Sequence, residues 1–273
     1  MLFCGIYYIV RLYWACMTKI YYFSGTGNTL WSAKKIAASI GSSDTCELYN
    51  IGVEAYRSEK IIEADAVVLL FPSYAYGLPV IVRRFVQSAV FKTPYIAAFV
   101  TFGSSPGGTL AALSRILKRK KIDAVYFDQI PSVENYIAIY GTPKEETIRQ
   151  QLALQQEASE AAAISIIERR TNRINTFRPF SAFVWALFSL GVKIFYRYYR
   201  VSDKCTGCGI CEKICPVSAI TIHDKKPVFS GKCEHCQGCL NWCPKQAILF
   251  GRLNAVVPRY HHPEITITDM THS

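Results

Sequence analysis

The chain has 273 residues, room for one large domain or two modest ones. At 51% hydrophobic and 19% charged, its composition is that of a globular protein with a real core, which excludes long disorder. The formal charge is +11, a balance that raises nucleic acid or an acidic membrane as partners. Of the 11 cysteines, only Cys4, Cys16 and Cys46 precede residue 205, and the other eight fall within 205–243. That regular clustering implies metal rather than a secreted disulfide scaffold, and thiolate ligands need a reducing compartment.

Residues 1–17 read as an N-terminal extension. "MLFCGIYYIVRLYWAC" (1–16) is apolar, but Arg11 interrupts it and no small-residue cleavage pattern follows, which argues against a signal peptide. The favoured reading starts translation at Met17; an amphipathic extension or an anchor are the alternatives. Residues 18–172 alternate strand-like and helix-like runs. The strands are "KIYYF" (19–23), "CELYNI" (46–51), "AVVLLFP" (66–72), "YIAAFVTF" (95–102) and "AVYFDQI" (124–130). The helices are 28–40, 79–90, 108–121 and a long one within 143–171 that opens at Pro143. Such alternation predicts an α/β fold, a doubly wound five-stranded parallel sheet with ligand at the carboxyl ends of its strands. "RILKRKK" (115–121) reads as a solvated helix end rather than a docking patch.

Residues 173–200 read as a linker carrying an apolar, aromatic helix that packs two domains together. Its uncharged stretch, Phe180 to Val192, is short for a bilayer, so it reads as a buried or interfacial helix, and integral membrane insertion is not expected. Residues 201–250 read as a small α+β second domain. Residues 251–273 read as a partly ordered tail whose His261 and His262 are solvated.

After the first strand comes Ser24-Gly25-Thr26-Gly27-Asn28-Thr29. A Walker loop needs a lysine that is absent, and a dinucleotide fingerprint needs a third glycine where Leu30 stands. The remaining pattern, [ST]-x-T-G-x-T, resembles the flavodoxin phosphate loop. The resemblance implies FMN, its phosphate held by backbone N–H groups and hydroxyls without a cation. Two later loops would take the flavin ring. One offers Ser73, Tyr74, Tyr76 and Gly77, the other Thr101, Phe102 and Gly103. The second loop, "TFGSSPGG", has no carboxylate, so flavin potentials should not be carried over from free-standing flavodoxins.

An internal repeat offset by 28 residues aligns "KCTGCGICEKICPVSAITI" (204–222) with "KCEHCQGCLNWCPKQAILF" (232–250). Each copy is C-x2-C-x2-C-x3-C-P and resembles the bacterial two-cluster ferredoxin run. Zinc ribbons require neither the third cysteine nor the C-P, and have neither twice. The resemblance implies two [4Fe-4S] clusters, the fourth cysteine of each run crossing to the other cluster. Cys205, Cys208, Cys211 and Cys243 would hold one; Cys233, Cys236, Cys239 and Cys215 would hold the other. Pro216 and Pro244 turn the chain after the crossing ligand, and Gly207, Gly209 and Gly238 let backbone pass close to a cluster. Two such clusters and one bound phosphate would bring the formal charge to roughly +5, which weakens the case for nucleic acid.

From 18 to 250 the chain resembles fusions of a flavodoxin-like domain with a two-cluster ferredoxin, found among anaerobic bacteria and archaea. The resemblance implies cytoplasmic electron transfer among FMN, two clusters and external redox partner proteins. An iron-sulfur flavin reductase acting on a small molecule, with Tyr74 or Tyr76 as its only candidate proton donors, and a cluster-based sensor are the alternatives.

Overall fold

The computed structural model describes residues 17–41, 46–58, 60–251 and 257–271. The extension 1–16 and its cysteines lie outside them. Five strands form one parallel sheet: β1 (Thr18–Tyr22), β2 (Cys46–Asn50), β4 (Ala66–Pro72), β6 (Ile96–Phe102) and β7 (Val125–Pro131). Their order is β2-β1-β4-β6-β7, the 2-1-3-4-5 order of flavodoxin-like folds. A short parallel pair, β3 (Ile61–Glu63) and β5 (Val90–Lys92), stands apart.

The central strands β4 and β6 show why an unbroken apolar run makes a strand here. Val67, Leu69 and Phe71 enter one core while Val68 and Leu70 enter the other. Ile96, Ala98 and Val100 alternate with Ala97 and Phe99 in the same way. A strand covered on both faces needs apolar side chains at every position. One face is covered by α3 (Val80–Ser88) and α4 (Thr109–Arg119), behind the short α2 (Ile51–Glu54). The other carries α1 (Asn28–Ile40) and α6 (Glu145–Ile167), which follows the single turn α5 (Ile137–Tyr140). Gln155 of α6 donates from Nε2 to the Asn28 carbonyl (2.8 Å) and to Ser32 Oγ (2.9 Å), locking α6 to the start of α1.

The segment 173–200 forms α7 (Pro179–Phe195), opened by a proline at its first turn. It is not buried as one of the sequence readings had it: of its residues only Val192 is buried. The cysteine region pairs β8 (Tyr199–Val201) with β11 (Ile248–Phe250), and β9 (Ile220–His223) with β10 (Lys226–Phe229). Between them sit two single-turn helices, α8 (Ile210–Lys213) and α9 (Gly238–Asn241), at equivalent points of the repeat. Val217 and Ala219 complete one sheet core; Ile214 and Trp242 complete the other.

The tail differs from expectation. Residues 257–271 fold back over the phosphate turn and end in α10 (Ile267–Met270), with Thr266 and Asp269 forming a capping box. Tyr260 donates its hydroxyl to Asn28 Oδ1 (2.8 Å), and the His262 amide donates to the Thr26 carbonyl (2.9 Å). His262 is buried and stacks on Trp31, while His261 stacks on Trp242. The sequence gives no periodicity here because the tail is held by single contacts to a surface, not by an amphipathic face. Burial pushes the His262 imidazole down to about 4. The unfolded residue titrates near 6.5 and so binds more protons between those limits. Stability therefore falls as pH drops from about 6.5 toward 4, by up to ~1.4 kcal/mol per pH unit from this group. Urea midpoints at neutral and mildly acid pH check this: His262→Gln should show a smaller acid loss than wild type.

Candidate functional site

At the carboxyl ends of the parallel strands lies a cavity of about 510 Å³. Its floor is the turn after β1. Ser24 Oγ accepts the Gly27 amide (3.2 Å), closing the turn on itself. Gly27 sits at φ 96°, a left-handed conformation that needs glycine. It gives α1 an N-terminus with no side-chain cap and no acidic residue in its first turn. The leading N–H groups of a helix have no partners within it, so this end attracts an anion. The walls add hydroxyls: Thr29 Oγ1 meets Thr101 Oγ1 at 2.8 Å, and Thr26 Oγ1 accepts from Asn135. Among the described residues no Lys or Arg lines the cavity.

Of the residues the sequence singles out for a flavin, Ser24, Gly25, Thr26, Asn28, Thr29, Ser73, Tyr74, Tyr76, Thr101, Phe102 and Gly103 line it. Gly27 and Gly77 do not; Gly27 backs onto His262 and Ile265, and Gly77 onto Trp185 of α7. Tyr74 and Gly77 exchange backbone hydrogen bonds (3.0 Å each) around Ala75 (φ 47°) and Tyr76 (φ 64°). Two consecutive non-glycine residues in the left-handed region are costly, and such strain gathers at binding loops.

Three groups of lining residues escape the sequence reading. The loop after β7 adds Ser132 to Tyr136. Glu134 packs on Gly103, so a carboxylate missing from the 101–108 loop comes from its neighbour. α7 roofs the cavity with Val184, Leu187, Phe188 and Phe195. It is held there by Trp185, whose Nε1 donates to the Leu78 carbonyl (2.6 Å) under the Arg83 guanidinium. The third group, His235, Cys236 and Gln237, comes from the second cysteine run.

These last residues join the two halves of the molecule. The Gly25 carbonyl accepts from Trp242 Nε1 (3.2 Å). A Cβ on Gly25 would strike the Cys236 carbonyl, and one on Gly238 would come within 2.8 Å of the Gly25 carbonyl. Glu234 Oε2 accepts the Ile81 amide (3.0 Å) at the start of α3, and burial pushes its carboxyl up to about 7. His235 stands between the hydroxyls of Tyr136 (3.0 Å) and Tyr199 (3.2 Å), with burial pushing its imidazole down to about 4. A histidine thus does reach the cavity, contrary to the sequence reading, which saw only tyrosines there.

The repeat explains why these side chains are noteworthy. Gly207 (φ 70°) and Gly209 (φ 76°) take left-handed conformations in the first run. Their counterparts 28 residues on are His235 (φ 53°) and Gln237 (φ 56°). The second run bears a backbone cost of about 1 kcal/mol at each position to keep a side chain there. Gln237 is buried, and both its amide atoms lack partners among the described residues. A buried unpartnered amide facing a cavity asks for a polar ligand. Gln237→Gly should leave thermal stability unchanged or raised by a few degrees while weakening ligand binding in the cavity about fivefold or more. Differential scanning calorimetry and a fluorescence titration with FMN read the two effects separately.

The cysteines fall into two sets. Cys205, Cys208, Cys211 and Cys243 line one small pocket with Gly207, Gly209 and Pro244. Cys215 lies instead among the other set: Cys236 feels the thiols of Cys215 and Cys233, and Cys239 those of Cys236, Cys233, Cys215 and Cys211. The fourth cysteine of each run therefore crosses over. Backbone amides point at the sulfurs, from Ala219 to Cys215 (3.2 Å), His235 to Cys233 (3.3 Å) and Ala247 to Cys243 (3.3 Å). Burial first, and the neighbouring thiols after it, push Cys233 up to about 11 and Cys211 up to about 12, so a cationic centre beside them would be needed to ionise them at neutral pH. Among the described residues no three His, Cys, Asp or Glu side chains gather closely enough for a single metal ion. In a four-iron cluster each thiolate would bind a different iron, so the ligands would stand further apart than around one ion.

Residues 198–221 match the 4Fe-4S binding domain family. Ferredoxin-2 of Chlorobaculum tepidum is 38% identical over 58 residues, 19% of this chain and 94% of that protein. Through this segment the chain belongs to the ferredoxin family. Ferredoxin segments bind 4Fe-4S clusters, which makes this a redox protein with an electron-transfer role. A flavodoxin from Streptococcus pneumonia TIGR4 aligns with 56% of the chain and 99% of its own length, at 15% identity and TM-score 0.36. A short-chain flavodoxin associated with a PDU bacterial microcompartment covers 56% and 97%, at 14% and 0.35. The flavodoxin-like fold of the part preceding the ferredoxin segment rests on its own strand order, described above.

Proposed function

We propose that the protein is a cytoplasmic electron carrier that holds FMN in the cavity and two [4Fe-4S] clusters in the two cysteine sets. One observation carries this reading: the segment Cys236–Gln237 belongs at once to the second cysteine set and to the cavity wall. The residues present suit FMN. The uncapped start of α1 and the hydroxyls of Ser24, Thr26 and Thr29 offer neutral donors to a phosphate monoester. Tyr76, Phe102 and Tyr136 offer faces to a flat ring, and Gln237 offers an unused amide to its polar edge. When bound, FMN supplies one- or two-electron chemistry and each cluster one-electron chemistry.

The chain's own contribution is placement. Cys215, Cys233, Cys236 and Cys239 would hold the cluster beside the cavity. Cys205, Cys208, Cys211 and Cys243 would hold the outer one, where Cys208 is exposed and offers a route to external redox partner proteins. α7 keeps water from the cavity with Phe188 and Phe195. The amides at Cys215, Cys233 and Cys243 favour added negative charge on their sulfurs. A reducing cytoplasm would keep the thiolates available.

Protein purified anaerobically should contain about one FMN and about eight irons per chain. Stoichiometric zinc with iron near zero would overturn the reading. His235 between Tyr136 and Tyr199 favours a second reading, a reductase of a small acceptor. That reading requires steady-state turnover that Tyr136→Phe abolishes while flavin and iron content stay constant.

A further inference from the structure

The outer face of α7 is largely unpartnered among the described residues: Phe180 meets the Tyr76 ring, and Leu187 at its edge also borders the cavity. Phe180, Phe183, Leu187, Leu190 and Ile194 follow one another at spacings of three and four, the period of one helix face. Their exposures run from 48% to 70%, and Phe177 just before the helix is 76% exposed. The stretch Pro179–Tyr198 has a mean hydropathy of 1.4 over its best window. A contiguous stripe of five large apolar side chains marks an interaction surface.

Charge says what covers it. Residues 169–202 contain seven Lys and Arg and no Asp or Glu. A groove of about 370 Å³ beside α7 is lined by Arg83, Arg115, Arg119 and Arg178, with no acidic residue among the described ones. The "RILKRKK" helix end thus contributes two of its cations to this face. A second copy of the chain would bring cations against cations at both ends of the stripe, whether packed parallel or antiparallel. Anionic headgroups complement both ends at once. The exposed ring of Tyr198 suits the headgroup level.

The geometry points to an anionic bilayer surface as the partner, with α7 lying in the interface plane. The helix does not cross the membrane in this arrangement. Its inner side is engaged by the Trp185–Leu78 hydrogen bond and by Phe188 and Phe195 against His235, contacts that a spanning helix would forfeit. Docking in the plane buries the outer stripe while leaving them intact.

The test is co-sedimentation of the full-length, cofactor-loaded protein with vesicles of phosphatidylcholine containing about one-third phosphatidylglycerol, against vesicles of phosphatidylcholine alone. At least tenfold stronger binding to the anionic vesicles is expected, falling as salt rises. The triple variant Phe183→Ser, Leu190→Ser, Ile194→Ser should lose at least tenfold with its iron and flavin content unchanged. Arg115→Gln and Arg119→Gln should each lose about fivefold, and only on anionic vesicles. Four results would overturn the proposal: no binding by the wild type, equal binding by the triple variant, a lipid-free dimer that the triple variant dissolves, or loss of binding when the chain starts at Met17.

Discussion

Cys236→Ala should yield a folded protein with about four irons instead of about eight, a full complement of flavin, and no electron exchange between flavin and the remaining irons. The expectation follows from where Cys236 sits. Its thiol neighbours Cys215 and Cys233, and its residue forms part of the cavity wall. On the proposed reading, losing this ligand would remove the cluster beside the cavity. Cys208→Ala is the matched control. Cys208 is exposed, belongs to the other set and does not line the cavity. It should cost the same amount of iron yet leave exchange between flavin and the inner cluster in place. Iron analysis and visible spectra during reductive titration distinguish the two variants, and circular dichroism confirms that both have folded. Equal effects on exchange would mean that the second set has no special position.

Gly25→Ala should be the most damaging single change in the phosphate turn, although Gly25 makes no side-chain contact. The added methyl would run into the Cys236 carbonyl, with the Cys236 Cβ only 3.0 Å away. Both obstacles belong to backbone or to its first side-chain atom, so neither can rotate aside. The turn must instead move away from the second cysteine run. That strains the Trp242–Gly25 hydrogen bond (3.2 Å) and displaces the start of α1. Overpacking of this kind costs about 1–3 kcal/mol. A chain of this size should melt some 2–4 °C lower per kcal/mol. Flavin affinity should fall by at least about tenfold, since the same movement misplaces the phosphate donors. A calorimetric scan and an FMN titration check both. Unchanged affinity would show that the phosphate turn does not depend on its contact with the cysteine region.

Much of the fold was legible because its signals are local. β4 and β6 announce themselves by unbroken apolar runs, which only a doubly covered strand needs. α1 begins at Asn28 and ends at Ile40, as the sequence reading places it, because Gly27 and Gly41 punctuate both ends. The turn at 24–29 and the cysteine runs were legible for a different reason: each carries short motifs at fixed spacing that stand out from any helix or strand period.

What escaped depends on residues far apart in the chain. The exposed face of α7 could not be distinguished from a buried one, since an apolar helix carries the same composition in either place. The tail has no periodicity because Tyr260 and His262 are held by individual contacts to Asn28, Thr26 and Trp31. His235 and Gln237 did leave a trace. The repeat has glycine at 207 and 209 and a side chain at 235 and 237, and such a departure at a left-handed position signals that the side chain is used. Reading the two copies against each other for backbone conformation, rather than for cysteines alone, would have found both.

On the proposed function, the cavity and the two cysteine sets form one electron-transfer unit within a single chain. Anaerobic photoreduction of dilute protein tests it most directly, with flavin absorbance and cluster paramagnetic resonance followed together. Electrons should distribute between flavin and clusters as fast as they are added, at a rate independent of protein concentration. Flavin that bleaches while the clusters stay oxidised, or exchange that speeds up in proportion to protein concentration, would contradict it.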